Sequence, residues 1–274
     1  MLFGVACFTL YAGAGLVRDQ PGFAAWRRGR LSLMALVALV SGAGWLALTA
    51  AGMSGEASDA TSPSAIASVI TDTGFGKLWA VRVAGCVALL LLPFVRRLAW
   101  LLPITAGAVL ASLAWTGHGG LPDGMTLGRI HTAADAAHLL AAGAWIGALW
   151  ALGWMVLRLP AAPVTASALS RFSGVGQLVV AVLIATGLVN AYAILGHVEA
   201  LWTTRYGRLL ALKLLAFAGM LALAGLNRWV LTPRLAGGTS AAASRLRWHI
   251  LCEQALSFVV LGVVAVIGTS DPAA

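Results

Sequence analysis

The chain has 274 residues, of which 60% are hydrophobic and only 10% charged, against about 25% charged in soluble globular domains. Its apolar residues come in long runs, which excludes a soluble fold and also an outer-membrane barrel, whose strands alternate over about 10 residues. A net charge of +9 would suggest a nucleic-acid partner in a soluble domain, but here the basic residues sit in short connections and report topology.

Eight apolar segments follow in chain order, at about 1–17, 31–53, 78–95, 98–116, 131–157, 175–195, 209–231 and 249–268. The expected fold is therefore all-α: a polytopic membrane protein of eight transmembrane helices in one bundle, a single integral-membrane domain over residues 1–274. The first segment is short and lacks a basic stretch or small-residue cleavage site before its charges, so a retained helix is expected rather than a signal peptide. Residues 54–77, rich in Ser, Thr, Ala and Gly, form the longest outer loop and leave room for a short interfacial helix. The Arg96-Arg97 pair is the whole turn between segments three and four, which predicts a tight antiparallel hairpin. No loop is long enough to bury a soluble core, and no internal repeat stands out.

The connections orient the bundle. Arg18, Arg27, Arg28 and Arg30 follow segment one, and Arg96 and Arg97 follow segment three. Arg158 and Arg171 follow segment five, and Arg228, Arg234, Arg245 and Arg247 follow segment seven. The opposite loops hold fewer basic residues, with Glu56, Asp59, Asp72, Asp123, Glu199 and Asp271 among them. The positive-inside rule puts the arginine-rich loops in the cytoplasm and both termini outside.

On that outer side, His131, Asp135 and His138 stand at i, i+4 and i+7 and form one stripe at the head of segment five. His118 ends segment four, a short Gly/Pro loop away. Ionisable groups at membrane depth are expensive, and neutral imidazole is the commonest metal ligand, so these four residues are the metal-site candidates. His131 and His138 lie about 10 Å apart along a helix at 1.5 Å per residue, too far to share one ion. Two arrangements work: His118, Asp135 and His138 in one site, or His131 and Asp135 passing an ion inward to His138. Asp135 serves equally as a salt-bridge partner of Arg82 or Lys213, since buried charges pair. On the inner side, His249 and Glu253 are i, i+4 on segment eight, where a Glu253–Arg228 pair would close the bundle or Glu253 and His249 would act as an exit station or proton acceptor. Asn190, Lys213, Asn227, Arg228 and Glu253 are the polar candidates for lining or gating a route. No phosphate loop, nucleotide motif, HExxH or GxSxG appears, so neither an ATP-driven pump nor an enzyme is expected.

The second half also resembles a known family. Arg171-Phe-Ser, Thr186-Gly-Leu-Val-Asn190-Ala and Tyr206-Gly-Arg-Leu-Leu-Ala-Leu-Lys213-Leu occur in order, then Leu226-Asn227-Arg228, Thr232-Pro-Arg234, Glu253 and Thr269-Ser-Asp-Pro. Together with Gly117-His118 and Asp135-x-x-His138-Leu-Leu-Ala-Ala-x-x-Trp145-Ile-Gly147, this pattern is similar to the copper resistance D (CopD/PcoD) family of bacterial inner-membrane proteins. The resemblance covers about residues 115–271; the first three helices match only in hydropathy. It implies copper as a transported substrate, copper homeostasis and resistance, and a separate small periplasmic copper-binding partner of the CopC type. Carried onto this sequence, it marks His118, Asp135 and His138 as the copper path, with His131 less clearly in the pattern. Ligands clustered at the outer entrance favour import. Two other functions remain open: a haem-binding electron-transfer bundle with His118 and His138 as axial ligands, and a non-transporting scaffold that docks a periplasmic copper carrier.

Overall fold

A computed structural model describes residues 1–13, 15–115, 126–159, 163–195, 197–236 and 240–269, all of it helices and short connections. The principal helices are α1 (Leu2–Ala12), α2 (Pro21–Ser54), α3 (Gly74–Leu91), α4 (Leu101–Ala111), α5 (Thr126–Arg158), α6 (Pro163–Leu195), α7 (Arg205–Leu226) and α8 (Ser240–Ile267). Among the described residues, six helical stretches are long and apolar enough to cross a membrane, while Leu2–Ala12 and Leu101–Trp115 are shorter. Among the described residues each apolar segment seen in the sequence is largely helical, although the first breaks at Gly13 and only six of the expected eight helices reach membrane length. The helices nevertheless overrun those segments, α2 beginning at Pro21 rather than near 31 and α6 at Pro163 rather than near 175. Hydropathy marks only the lipid-depth part of a helix, whereas Arg and Ala extend it beyond that depth because they are good helix formers. Between Leu91 and Leu101 the chain turns through two 3₁₀ turns, so the Arg96-Arg97 hairpin is present. The long connection over 54–77 contains a helix, Pro63–Asp72, started by a Ser62 hydroxyl that accepts from the Ala65 amide.

α5 is the central element. Of its apolar window 67% is buried inside the bundle, against 28% or less for the other five membrane-length helices. It packs on α1, α4, α6 and α8. α1 crosses it so closely that a Cβ on Gly4 would sit 2.3 Å from the Gly143 carbonyl oxygen, and one on Gly147 would sit 2.5 Å from the Gly4 Cα. Small residues allow this approach, and dispersion and backbone contact then replace the hydrophobic driving force that lipid does not supply. Val5, Ala6 and Phe8 of α1 are consequently fully buried. Arg27, expected in a solvated loop, is instead buried within α2, where it donates to the Val5 and Ala6 carbonyls.

A repeat that the sequence did not announce is visible where α3 and α7 begin. Thr73-Gly-Phe-Gly76-Lys-Leu-Trp-Ala-Val-Arg82 and Thr204-Arg-Tyr-Gly207-Arg-Leu-Leu-Ala-Leu-Lys213 occupy the same corner. In each, the threonine hydroxyl accepts from the glycine amide (2.9 Å in both) and donates to the carbonyl four residues back, Val69 or Ala200. In each, a Cβ on the glycine would run into the short helix before the corner. Each half of the chain thus carries one cation, Arg82 or Lys213, at the same depth in its third helix. The pattern is only ten residues long in a chain full of Ala, Leu and Gly, and the capping geometry is what distinguishes it from background.

Candidate functional site

The histidine-bearing end of α5 meets α6 and α7. His138 Nδ1 lies 2.9 Å from the Thr186 hydroxyl, which itself donates to the Val182 carbonyl at 2.6 Å. Because the hydroxyl proton is committed to Val182, its lone pair accepts, and the network assigns the imidazole proton to Nδ1. Nε2 is then the free electron pair, the state in which imidazole binds a metal. One turn earlier, Asp135 Oδ1 accepts from Asn190 Nδ2 at 3.3 Å. Asp135 also lies in electrostatic range of Lys213 and Tyr206 on α7, and Lys213 in range of His138. Arg82, the other partner considered for Asp135, donates to the hydroxyl and carbonyl of Ser112 and stands over the Trp45 ring.

The structure therefore brings Asp135, His138, Asn190 and Lys213 together. His131 stands two turns from His138, with its Nδ1 buried and without a hydrogen-bond partner among the described residues. His118 lies outside the described residues, and among those described no three His, Cys, Asp or Glu side chains converge on a point. Thr186 and Tyr206 were in the family-like segments but received no role from the sequence. The signal was there for Thr186, since Thr186 and Asn190 are i, i+4 on one face of α6.

At the arginine-bearing end the expected Glu253–Arg228 pair is absent. Arg228 Nη1 donates to the carbonyl and hydroxyl of Ser173, while Glu253 Oε1 accepts from Asn227 Nδ2 at 2.8 Å. Asn227 Oδ1 in turn pairs with His249 Nδ1 at 2.8 Å. The reason is local: Asn227–Leu231 forms a π turn, in which Thr232 donates to the Asn227 carbonyl five residues back. That extra residue per turn rotates Asn227 toward α8 and Arg228 toward α6, and such bulges are frequent at functional positions.

Between the two ends, α5, α6, α7 and α8 line a half-open cavity of about 490 Å³. Its wall runs from Trp145 and Ile184, within two turns of His138 and Thr186, to Asn227, Arg228 and Glu253 at the other end. Trp145 is buried against Phe217, ring centroids 6.1 Å apart, and so packs the core below His138. Asn190 and Lys213 thus belong to the first cluster, and Asn227, Arg228 and Glu253 to the far wall.

Membrane-length helices around a central histidine-bearing one, with a polar cluster near one end of a mostly apolar cavity and a buried carboxyl at the other, define a multi-pass membrane protein. Comparison with known proteins gives the lineage. Residues 166–267 match the family described as Copper resistance protein D, and residues 1–129 match the Copper resistance protein D-like N-terminal domain. Copper resistance protein D of Pseudomonas syringae pv. tomato is 35% identical over 99% of this chain and 92% of its own. Inner membrane protein YebZ of Escherichia coli strain K12 is 31% identical over 87% and 82%, respectively. Copper transport protein CutJ of Bacillus subtilis strain 168 is 27% identical over 82% of this chain and 42% of its own. No solved structure gives a significant match. The chain belongs to the copper resistance D family, and its likeness extends through the first half, where the sequence motifs were silent.

Proposed function

We propose that this protein carries copper across the bacterial inner membrane, with eight spans and both termini on the periplasmic side. Copper enters at the His138/Asp135 cluster, with His118 as a further ligand and His131 nearer the surface. The observation that carries the proposal is the His138–Thr186–Val182 chain, which holds one imidazole nitrogen protonated and leaves the other for a metal, two turns along α5 from the Trp145 end of the cavity. Lys213 sharpens the mechanism. A fixed cation beside Asp135 and His138 opposes a metal cation, so an arriving ion competes with the ammonium for the carboxylate and binds only transiently, as a transport site requires. From there the ion moves into the cavity toward Asn227, Arg228 and Glu253. Entry of ligands from the outside favours import, and a separate periplasmic copper-binding protein of the CopC type is the donor.

Proteoliposomes containing only this protein test it: copper should accumulate inside wild-type vesicles and not in empty ones. Binding of a periplasmic carrier without any copper flux would instead make the protein a docking scaffold. A fall in cytoplasmic copper on expression in cells would overturn import. A second prediction isolates the orienting hydroxyl. Thr186→Val should weaken copper binding about 10- to 100-fold, the usual cost of losing an outer partner of a metal-bound histidine, while Thr186→Ser should retain it, both measured by competition with a chromogenic chelator. Equal affinities for Val and Ser variants would show that Thr186 does not set the imidazole.

A further inference from the structure

Glu253 is the carboxyl for which the copper site has no use. It is 2% exposed and lies inside a membrane-length helix. A single hydrogen bond reaches it among the described residues, from the neutral amide of Asn227 to Oε1. The side chain forms part of the cavity wall, so its other oxygen has the cavity as its remaining neighbourhood.

The groups that share this cavity wall bring few charges near it. α5 contributes only Trp145, Leu149 and Leu152, and the polar residues of α6 on the wall are Ser173 and Gln177. α7 contributes Asn227 together with Arg228, whose guanidinium is committed to Ser173. On α8 itself, His249 is one turn nearer the helix start and bonded to the same Asn227; Gln254 is turned away to the Leu149 carbonyl. Arg247 on α8 and Arg234 in the helix Thr232–Ala236 lie further toward the arginine-bearing end. No ion pair therefore neutralises Glu253 among the described residues. An ionised carboxylate so placed is costly, and it is relieved in one of two ways, by taking a proton or by a cation entering the cavity.

We propose that Glu253 is a proton-exchange site that carries a proton when the cavity is empty and gives it up when a copper ion arrives, so that copper movement is linked to counter-movement of protons. The balance is simple. The O–H bond of the neutral carboxyl breaks, the electron pair stays on the carboxylate facing the metal cation, and the proton leaves through the cavity toward the histidine-bearing end, against the incoming ion. His249, about 6 Å along the helix axis toward the arginine-bearing end, is the next titratable group and returns a proton from that side once the ion has moved on. The π turn supports this role, because it delivers an amide rather than a guanidinium to Glu253. An arginine there would hold the carboxyl permanently ionised. The proposal rests on copper passing through this protein.

The test uses the full-length protein reconstituted in vesicles with a trapped pH dye, given copper chloride with and without ascorbate. Wild type should show copper uptake that changes at least several-fold with the imposed pH gradient, accompanied by proton movement in the opposite direction. Glu253→Gln, which keeps the Asn227 contact sterically, should be slower and indifferent to the gradient, and Glu253→Asp should restore part of the dependence. Glu253→Gln retaining wild-type pH dependence and proton counterflow would overturn the proposal. Infrared difference spectra of the detergent-solubilised protein separate this from the transport question. Wild type should show a carboxylic-acid C=O band that disappears when copper is added, and Glu253→Gln, verified as folded by its unfolding midpoint, should lack it. Absence of that band in wild type would overturn the proton site even if copper flux is observed; its presence without flux would retain the site and remove the transport function.

Discussion

Replacing His138 by alanine is expected to lower copper affinity by more than about 100-fold, beyond the ~10- to 100-fold that loss of an outer partner brings, without unfolding the protein. The side chain is only half-buried, and its removal frees the Thr186 hydroxyl without stranding it, because that hydroxyl keeps its bond to Val182. His131→Ala should have a much smaller effect, since His131 stands about 10 Å further out along the helix and makes no contact with the Asp135–Asn190 pair among the contacts described. Bound metal per protein and the absorption spectrum should be measured for all three proteins. Copper that falls in His138→Ala but persists in His131→Ala supports the outer site. A Soret band in wild type that vanishes in His138→Ala would replace this function with haem binding, and equal copper in all three would move the site away from α5.

Much of this was legible in the residues, for definite reasons. Long apolar runs cannot be anything but helices in lipid, because every backbone polar group must be satisfied within the segment. Polar residues inside such runs stand out, which is why Asp135, His138, Lys213 and Glu253 were found before any geometry was known. Partner choice was not legible. Arg228 and Asn227 are neighbours, and an unbroken α-helix offers no reason to prefer one as the contact of Glu253; the π turn decides, and hydropathy carries no trace of it. Arg27 was misplaced for a related reason. Charge counting assumes that an arginine at a segment's edge is solvated, whereas here the short α1 presents carbonyls that draw it inward. The paired threonine–glycine corners were also missed: their letters agree, but over only ten residues in a chain rich in Ala, Leu and Gly, and the shared capping bonds are what make the equivalence stand out.

Gly147→Leu is expected to be among the most destabilising single changes in the membrane-embedded core. The site for its Cβ is already filled by backbone, with the Gly4 Cα and the Val5 nitrogen each 2.5 Å away, and backbone cannot swing aside as a side chain can. α1 must therefore move away from α5. Overpacking alone costs about 1–3 kcal/mol. Displacing α1 also pulls the Val5 and Ala6 carbonyls from the buried Arg27, leaving donors unsatisfied at about 1–3 kcal/mol more. The sum is a large share of the ~5–15 kcal/mol that holds a typical protein folded. Gly44→Leu and Gly262→Leu are the controls, as a Cβ at either position meets nothing within 4 Å and leucine there faces open space. In detergent, both controls should elute and unfold like wild type, Gly147→Ala should unfold measurably earlier, and Gly147→Leu should aggregate or unfold far earlier. His138→Ala, by contrast, should lose copper at an unchanged midpoint, so the two variants separate a binding defect from a packing defect on the same helix. A wild-type midpoint for Gly147→Leu would mean that α1 does not cross α5 at these glycines, and the central position of α5 would fall with it.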